Sequence, residues 1–576
     1  MKRILEYCRN YKLKIVLSPL FKLSEAAFEL IVPLVIADII DKGIPSSDET
    51  YIKNRVILLL LFAVVGFISA ILAQYFAATA ACDISSDLRR DLFGKIQRLS
   101  VPEYEKIGSS KLVTGLTSDV NQIQSGINLF LRLLLRSPFI VLGAVIMAFT
   151  ISVRMALIFV AAVASLGIVV AVNMKSAIPS YKKTREGLDV VAGHADNGLS
   201  GVRVIRGFNR SKDDYKEFMD ESFRLYLFQK TAAGISSYLN PLTFLIINFS
   251  ICVLIYRGGV NVSLGNLTQG QAVALYNYMS QILVELIKLA NLIITVSRAA
   301  ACAGRASFIL DLPEDDTHGS LHFDDESSPH SLEFSHVSFC YEGSSEDMIS
   351  DLSFSVEPGE TVGVIGMTGS GKSTLAALAS GMYKATSGCV LIDGTPVEMY
   401  SSESLTKAVG FCLQKASIYN GSLLYNISLW RDNVEKESLD EALRISLADD
   451  VIAGKKEGLY YDIGANGAGL SGGQKQRIGI ARTLAGRPGL LIFDDSTSAL
   501  DAVTERKFLN NLKTVKNNPT VILISQKIRS VKNCDRIMLL EDGKISAFAP
   551  HSELCKTSGL YRELIKLQSE GEDLDE

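Results

Sequence analysis

Nine consecutive residues have the types and spacing that hold phosphate: Gly366-Met367-Thr368-Gly369-Ser370-Gly371-Lys372-Ser373-Thr374. They fit GxxxxGK[ST], follow an apolar strand (TVGVI, 361–365) and precede a helix-forming run with LAALAS, the context in which this pattern binds a nucleotide. Glycines let backbone N–H groups curl around an anion at a helix N-terminus. Lys372 offers a cation to the β- and γ-phosphate oxygens of ATP, and Ser373 a hydroxyl to Mg²⁺. About 120 residues further on, a second apolar strand, Leu490–Phe493, ends in Asp494-Asp495. An acid at the end of a buried strand is a weak signal alone. Beside the glycine-rich loop it places Asp494 as the carboxylate that holds Mg²⁺ through water.

These residues need a scaffold, and the sequence supplies two different ones. Of 576 residues, 48% are hydrophobic, and the mean hydropathy of +0.23 is high for a wholly soluble chain. Residues 1–310 carry 33 basic and 22 acidic side chains, whereas 311–576 carry 25 and 40. The overall balance of −4 gives no nucleic-acid signature. Disorder, collagen and a disulfide scaffold are excluded by the apolar composition and the lack of glycine period. The nine cysteines form no CxxC pair, so no zinc or redox motif is present. No apolar core with a cleavage site follows the basic start, so no removable signal peptide is expected.

A helix crosses the hydrocarbon core with about 20 mostly apolar residues. Six such runs lie near 15–40, 55–81, 127–151, 155–177, 235–257 and 268–297. Basic residues gather at the N-terminus and in the two long connections, 82–126 and 178–234, which places those segments in the cytoplasm. Unstructured loops of that length are uncommon. The spacing of Leu88, Leu92, Ile96 and Leu99 is helical, so the spans are expected to continue as helices bridged by turns near Pro102–Lys111 and Gly207–Asp214. From Leu332 short β-branched strands alternate with helices. The expected fold class is an α-helical membrane domain, with six transmembrane helices and long cytoplasmic extensions, followed by an α/β P-loop ATPase domain. The expected organisation is a permease over 1–310, an acidic linker over 311–331, an ATP-binding domain over 332–569 and an acidic tail over 570–576. Trp430, the only tryptophan, reads as packing.

Between the two phosphate-site motifs lies Leu470-Ser471-Gly472-Gly473-Gln474-Lys475-Gln476-Arg477, which resembles the signature of ATP-binding-cassette (ABC) proteins. Other family elements follow in order. Tyr341 resembles the aromatic that stacks on adenine, and Gln414 the Q-loop glutamine that joins Ser373 and Asp494 around Mg²⁺. Ser498-Ala499-Leu500-Asp501 resembles the D-loop, with Asp501 at its end. In the first half, IVPLVIADIIDKGI (31–44), SKLVTGLTSDVNQIQ (110–124) and GLSGVRVIRGFNR (198–210) resemble ABC exporter permeases. The resemblance implies a half-transporter that dimerises head to tail. Ser471, Gly472, Gly473 and Gln474 would then complete the partner's ATP site.

Two positions depart from the family pattern. Asp495 stands where the general-base Glu is usual, and Gln526, in TVILISQKIRSV, stands where the switch His is usual. The carboxylate is one methylene shorter, and catalytic placement is sensitive at about 1 Å. Glutamine can hydrogen-bond a γ-phosphate but carries no charge near neutral pH. Gly464-Ala465-Asn466-Gly467 also lacks the acid common before the signature. The chain thus resembles the degenerate-site subunit of heterodimeric bacterial multidrug ABC exporters, with catalysis mainly at the site of a partner chain carrying Glu and His. Homodimeric export of lipid, drug or peptide, and import on the same fold, remain as alternatives. A soluble ABC ATPase of repair or translation is excluded by the six runs. No peptidase precedes the first run, which argues against an exporter that cleaves leader peptides.

The cargo is barely readable. Glu25, Glu29, Glu285 and Lys288 lie inside apolar runs, where charge is costly and marks function by default. Self-pairing at i,i+3 or i,i+4 with each other or with Lys22 explains them as well. Gln74, Asn240, Asn248, Tyr276, Asn277 and Tyr278 add polar groups to the spans. This mixture suits a small amphipathic substrate. The expected place is the plasma membrane, as a multi-pass protein in contact with lipid, with the N-terminus and ATP-binding domain cytoplasmic.

Overall fold

The computed structural model describes residues 2–315, 319–344, 346–429, 431, 434–464 and 467–572. Trp430 and the Ala465-Asn466 pair lie outside them, as do the last four residues of the expected acidic tail. The chain divides into two compact units: Met1–Gln97 with Ser109–Leu312, and Arg98–Gly108 with Pro313–Glu576.

The first unit is helical. Among the described residues, five helical runs are long and apolar enough to cross a membrane: Glu49–Gln97, Ser109–Ile151, Val153–Ser200, Ser211–Ser263 and Gln269–Asp311. The helix Lys12–Asp38 makes the sixth. Its 27 residues suffice to span, although Lys22, Glu25 and Glu29 break its apolar run. The helices of 49, 48 and 43 residues exceed what a bilayer of about 30 Å needs at about 1.5 Å per residue. They therefore continue well past the membrane, as the helical spacing implies.

Packing inside this unit runs on small side chains. Ala26, Ala73, Ala77, Ala80, Ala144, Ala148, Ala156 and Ala274 are buried, while Ile57, Leu60, Leu61, Val64, Phe67 and Ile68 face outward. Lipid tails are as apolar as leucine, so close packing rather than escape from water joins these helices; small side chains let backbones approach, and Phe159, Leu275 and Ile282 fill the core among them. Beyond the apolar windows the helices are joined by ion pairs. Asp119, buried in a π-helical turn (Gly115–Asp119), accepts two hydrogen bonds from the Arg305 guanidinium, at 2.8 and 2.5 Å.

The two bridging turns take a different form from the one expected. Both are short helices, Val101–Ile107 and Val202–Gly207. Pro102 sits in the first turn of the former, where its missing N–H costs nothing. The second helix ends where the turn was expected to begin.

In the second unit a six-stranded sheet runs Lys544–Ala549, Arg536–Glu541, Thr361–Ile365, Thr520–Ile524, Leu490–Asp494, Val409–Cys412, parallel except for the first strand. An antiparallel sheet runs Ile349–Val356, Leu332–Phe339, Ser387–Ile392, Thr395–Pro396. The parallel strands are apolar on both faces because both are covered. Ile492 and Ile524 point to a core shared with Leu332, Phe334 and Leu375, while Phe493 and Leu523 point to one built with Ile478 and Phe508.

The stretch expected as a linker, 311–331, is largely part of this unit. Gly319 and Leu321 donate backbone N–H groups to Tyr400 and Met399, and Phe323 stacks on Tyr400 with centroids 3.9 Å apart. Its apolar residues are scattered among acids, and this hid the packing from a reading by composition. The final helix, Gly559–Glu572, likewise takes in the start of the segment expected as a tail.

Candidate functional site

The glycine-rich loop leaves the C-terminal end of strand Thr361–Ile365, where parallel α/β sheets bind ligands. It enters the helix Lys372–Ala379. Two of its glycines are required sterically. A Cβ on Gly366 would lie 2.2 Å from the Leu540 carbonyl oxygen. Gly371 has φ +96°, and a Cβ there would lie 2.9 Å from the Met348 oxygen. The loop is thus held against backbone with its own amides left to face an anion.

Lys372 is buried, and its Nζ donates to the carbonyl oxygens of Gly366 (2.8 Å) and Met367 (2.6 Å). Burial pulls its pKa below the usual lysine value, against the pull of Asp495 and Asp494. Thr374 Oγ1 lies 3.0 Å from the Tyr341 hydroxyl. Tyr341 is 36% exposed and packs edge-on against Phe339 and Tyr383, so one ring face stays open for stacking.

Ser373 Oγ donates to Asp494 Oδ1 at 3.1 Å, which brings together two of the three expected Mg²⁺ ligands. Burial raises the Asp494 carboxyl above the usual range, and the Ser373 bond offsets part of that. A hydroxyl and a carboxylate at the mouth of a phosphate loop form an oxygen donor set that suits Mg²⁺, which is usually bound by one or two protein ligands plus phosphate. When bound, Mg²⁺ would neutralise phosphate charge. The third expected ligand, Gln414, is turned elsewhere: its Nε2 donates to Asp495 Oδ2 at 3.2 Å.

Asp495 itself sits at φ +45°, a left-handed conformation at the point where the chain leaves its strand. Its N–H donates to the Ile524 carbonyl, and its own carbonyl accepts from Ser498 Oγ at 2.8 Å. The carboxylate, raised chiefly by burial, accepts from Gln414 Nε2. The Gln526 side chain is exposed. Its carbonyl accepts from Gln568 Nε2 (2.8 Å), while Gln568 Oε1 accepts from the Ile528 N–H (2.8 Å). One side chain of the last helix therefore clamps the backbone on both sides of Lys527. Neither the Gln414–Asp495 bond nor the Gln568 clamp was read from the sequence, because both join residues far apart in the chain.

The signature residues start the helix Gly472–Leu484. Ser471 is its N-cap: Gln474 N–H donates to Ser471 Oγ (3.3 Å), and Ser471 N–H donates to Gln474 Oε1 (2.9 Å). This capping box was present in the text as Ser-x-x-Gln and is worth about 1 kcal/mol. A Cβ on Gly472 would meet open space, and one on Gly473 would approach the Ala499 oxygen at 3.0 Å. Asp501 N-caps the next helix, Ala502–Leu512, through the N–H groups of Val503 and Thr504.

The short helix Val101–Ile107 belongs to the same compact unit as this site. Glu105 accepts from the Tyr383 hydroxyl at 2.8 Å, and Lys106 pairs with Glu342 at 2.6 Å. Both contacts flank Tyr341. Burial and the Glu105 bond push the Tyr383 phenol upward.

In the membrane unit the expected charges converge on a residue the sequence reading passed over. Arg136 donates to Glu285 Oε1 (2.6 Å) and Glu29 Oε2 (2.7 Å), and lies 3.8 Å from Glu25 Oε1. Lys288 pairs with Glu285 at 2.8 Å, Lys22 with Glu25, and Ser137 donates to Glu285. Three cations meet three anions, so the group is neutral. Arg136 and Glu285 are its buried pair, and removing either costs about 3–5 kcal/mol. The signal for Arg136 was available: unpaired acids in apolar runs demand a cation from another run. Tyr278, expected among the polar groups along the spans, is fully buried and donates to the Leu30 carbonyl.

The chain is similar to known proteins over both of its halves. The family model of the ABC transporter transmembrane region matches residues 15–286, and that of the ABC transporter matches 349–498. The chain is 31% identical to the ABC transporter ATP-binding protein YfiB of Bacillus subtilis (strain 168), covering 99% of this chain and 98% of that one. It is 28% identical to an ABC transporter ATP-binding protein of Mycobacterium tuberculosis, over 98% and 97%. A bacterial Atm1-family ABC exporter solved with ATP bound superposes with a TM-score of 0.83 at 22% identity, over 96% of this chain and 99% of that one.

Proposed function

The chain belongs to the ABC transporters, with a transmembrane region and an ATP-binding cassette in one multi-pass polypeptide, and on that premise we propose that it is half of an ATP-driven exporter paired with a different chain. The observation that carries the asymmetry is the state of Asp495. Its short carboxylate is tied to the Gln414 side chain. The switch position offers an exposed, uncharged glutamine. A general base must reach the proton it takes, at about 2.6–3.2 Å or through one water. A shortened, tethered carboxylate without a cationic neighbour on the γ-phosphate side favours holding ATP over cleaving it.

The signature residues Ser471–Gln474 themselves match the family pattern. Ser471–Gln474 keep the cap that aims the helix outward, ready to complete the site of a partner with Glu and His. Export rather than import rests on the likeness to the exporter fold. The basic connections support a cytoplasmic N-terminus and cassette, and the plasma membrane is the expected site of the permease. A small amphipathic cargo fits a lining of isolated polar groups among apolar ones.

Steady-state ATP hydrolysis by the purified pair tests the reading. Asp495→Asn should leave it nearly unchanged, whereas the partner's Glu→Gln should nearly stop it. Equal losses, or a fully active homodimer of this chain alone, would overturn the asymmetric assignment.

A further inference from the structure

Past their apolar windows, the helices Val153–Ser200 and Ser211–Ser237 run side by side, joined through Val202–Gly207. His194 on the first meets Asp214, Glu217 and Glu221 on the second. The three acids recur at i, i+3 and i+7 and so share one helix face. One ligand atom each of His194, Glu217 and Glu221 lies within 4.8 Å of the others. Imidazole Nδ1 is 3.3 Å from Glu221 Oε2, and Nε2 is 3.3 Å from Asp214 Oδ1. The His194 side chain is only 15% exposed, with the Phe218 ring at 5.8 Å.

Two facts distinguish this cluster from an ordinary ion pair. His194 Nε2 and Glu221 Oε2 are both sealed from solvent, and neither has a hydrogen-bond partner. Leaving buried polar atoms unsatisfied is costly. The Nδ1–Oε2 separation is also informative. Ligands about 2.0–2.1 Å from a tetrahedral cation stand about 3.3 Å apart, which is the distance found here. The nitrogen and oxygen donors come from two helices, with no thiolate among them. This set suits a borderline first-row divalent cation such as Zn²⁺.

We propose that His194 Nδ1, Glu217 and Glu221 bind one divalent cation, and that Asp214, whose Oδ1 lies 3.3 Å from Nε2, accepts from Nε2–H once the imidazole turns onto the cation. A carboxylate behind a ligating histidine fixes its tautomer and raises its basicity. The cation would clip the two helices together just before the chain turns through Val202–Gly207. Glu217 is the exposed ligand, so the site can load from solvent.

The test uses full-length protein in lipid nanodiscs, purified without a polyhistidine tag. Because all nine cysteines are free, Co²⁺ serves as the spectroscopic probe and Zn²⁺ as the calorimetric one. One tight Zn²⁺ per chain is expected, with a Co²⁺ spectrum free of thiolate charge-transfer bands. His194→Ala should weaken binding by 100-fold or more. Glu217→Gln, an exposed and fold-neutral change, should weaken it at least 10-fold with the metal-free melting temperature unchanged. Asp214→Asn should cost about 10–100-fold. Absence of any site below millimolar Zn²⁺ would overturn the proposal. So would retention of wild-type affinity in both His194→Ala and Glu217→Gln. A melting temperature that follows pH but not added cation would assign the cluster to a proton instead and equally overturn it.

Discussion

The cassette has two working edges, and they differ in how each holds its key residues. On the signature edge the functional side chains are also the local architecture: Ser471 and Gln474 cap the helix they decorate, and Asp501 caps the next. On the phosphate edge the glycine loop is held against backbone, but the carboxylate proposed as the base, Asp495, is held by a side chain far along the chain, Gln414. A residue that serves the fold as well as the chemistry is hard to lose. One that serves only the chemistry can drift, and on this chain the departures from the family pattern at Asp495 and Gln526 fall in the second class.

The largest effect that separates the edges should come from Gly472→Asp. Its position faces open space, so the fold tolerates the change, yet hydrolysis by the assembled pair should fall by about 10²-fold or more, the loss expected when a transition-state contact is removed. Activity above half of wild type would erase the distinction. Next, Lys372→Ala should abolish ATP photolabelling of this chain while labelling of the partner persists. Retained labelling would remove the phosphate loop from the site. Smaller is the effect of Tyr383→Phe, which deletes the hydrogen bond to Glu105. Transport should drop a few-fold with nucleotide affinity unchanged, and a parallel loss of affinity would point to the adenine face instead.

The comparison can be sharpened by restoring the lost groups. Asp495→Glu with Gln526→His should raise this site's hydrolysis several-fold when the partner's Glu is disabled. No gain would mean that the tether from Gln414, not the residue type, limits the site. The smallest expected effect concerns pH. Burial raises Asp494 and Asp495 above the usual aspartate value of about 3.9. A carboxyl with a raised pKa keeps its proton to higher pH, so Mg²⁺–ATP affinity should rise with pH through a midpoint above that value. Asp494→Asn should flatten the curve. A midpoint at or below the free-aspartate value would contradict the burial seen here.

How much the sequence revealed depended on distance along the chain. The phosphate loop, the signature and the Asp494 strand were legible because each is one contiguous segment with its own strand or helix attached. The six-helix permease was legible from apolar length, even where three charges broke the first run. What stayed hidden was pairing. Nothing local to Arg136 says that Glu29 and Glu285, on two other helices, will meet it. Phe323 gave no sign of stacking on Tyr400, because a lone aromatic among acids carries no period to read. The short bridging helices were mistaken for turns because six or seven residues hold too little pattern to mark a helix.

Gln568 has a consequence of its own. It lies near the end of the last helix, and helix ends fray at almost no cost in free energy. Each fraying event hands the Gln526 carbonyl and the Ile528 amide back to water. The Ile528 amide should therefore exchange hydrogen at the rate of a helix terminus rather than that of the buried strand Thr520–Ile524 just before it. The segment proposed to face the γ-phosphate would then stiffen or loosen with temperature as a short helix does, while the sheet beneath it stays rigid.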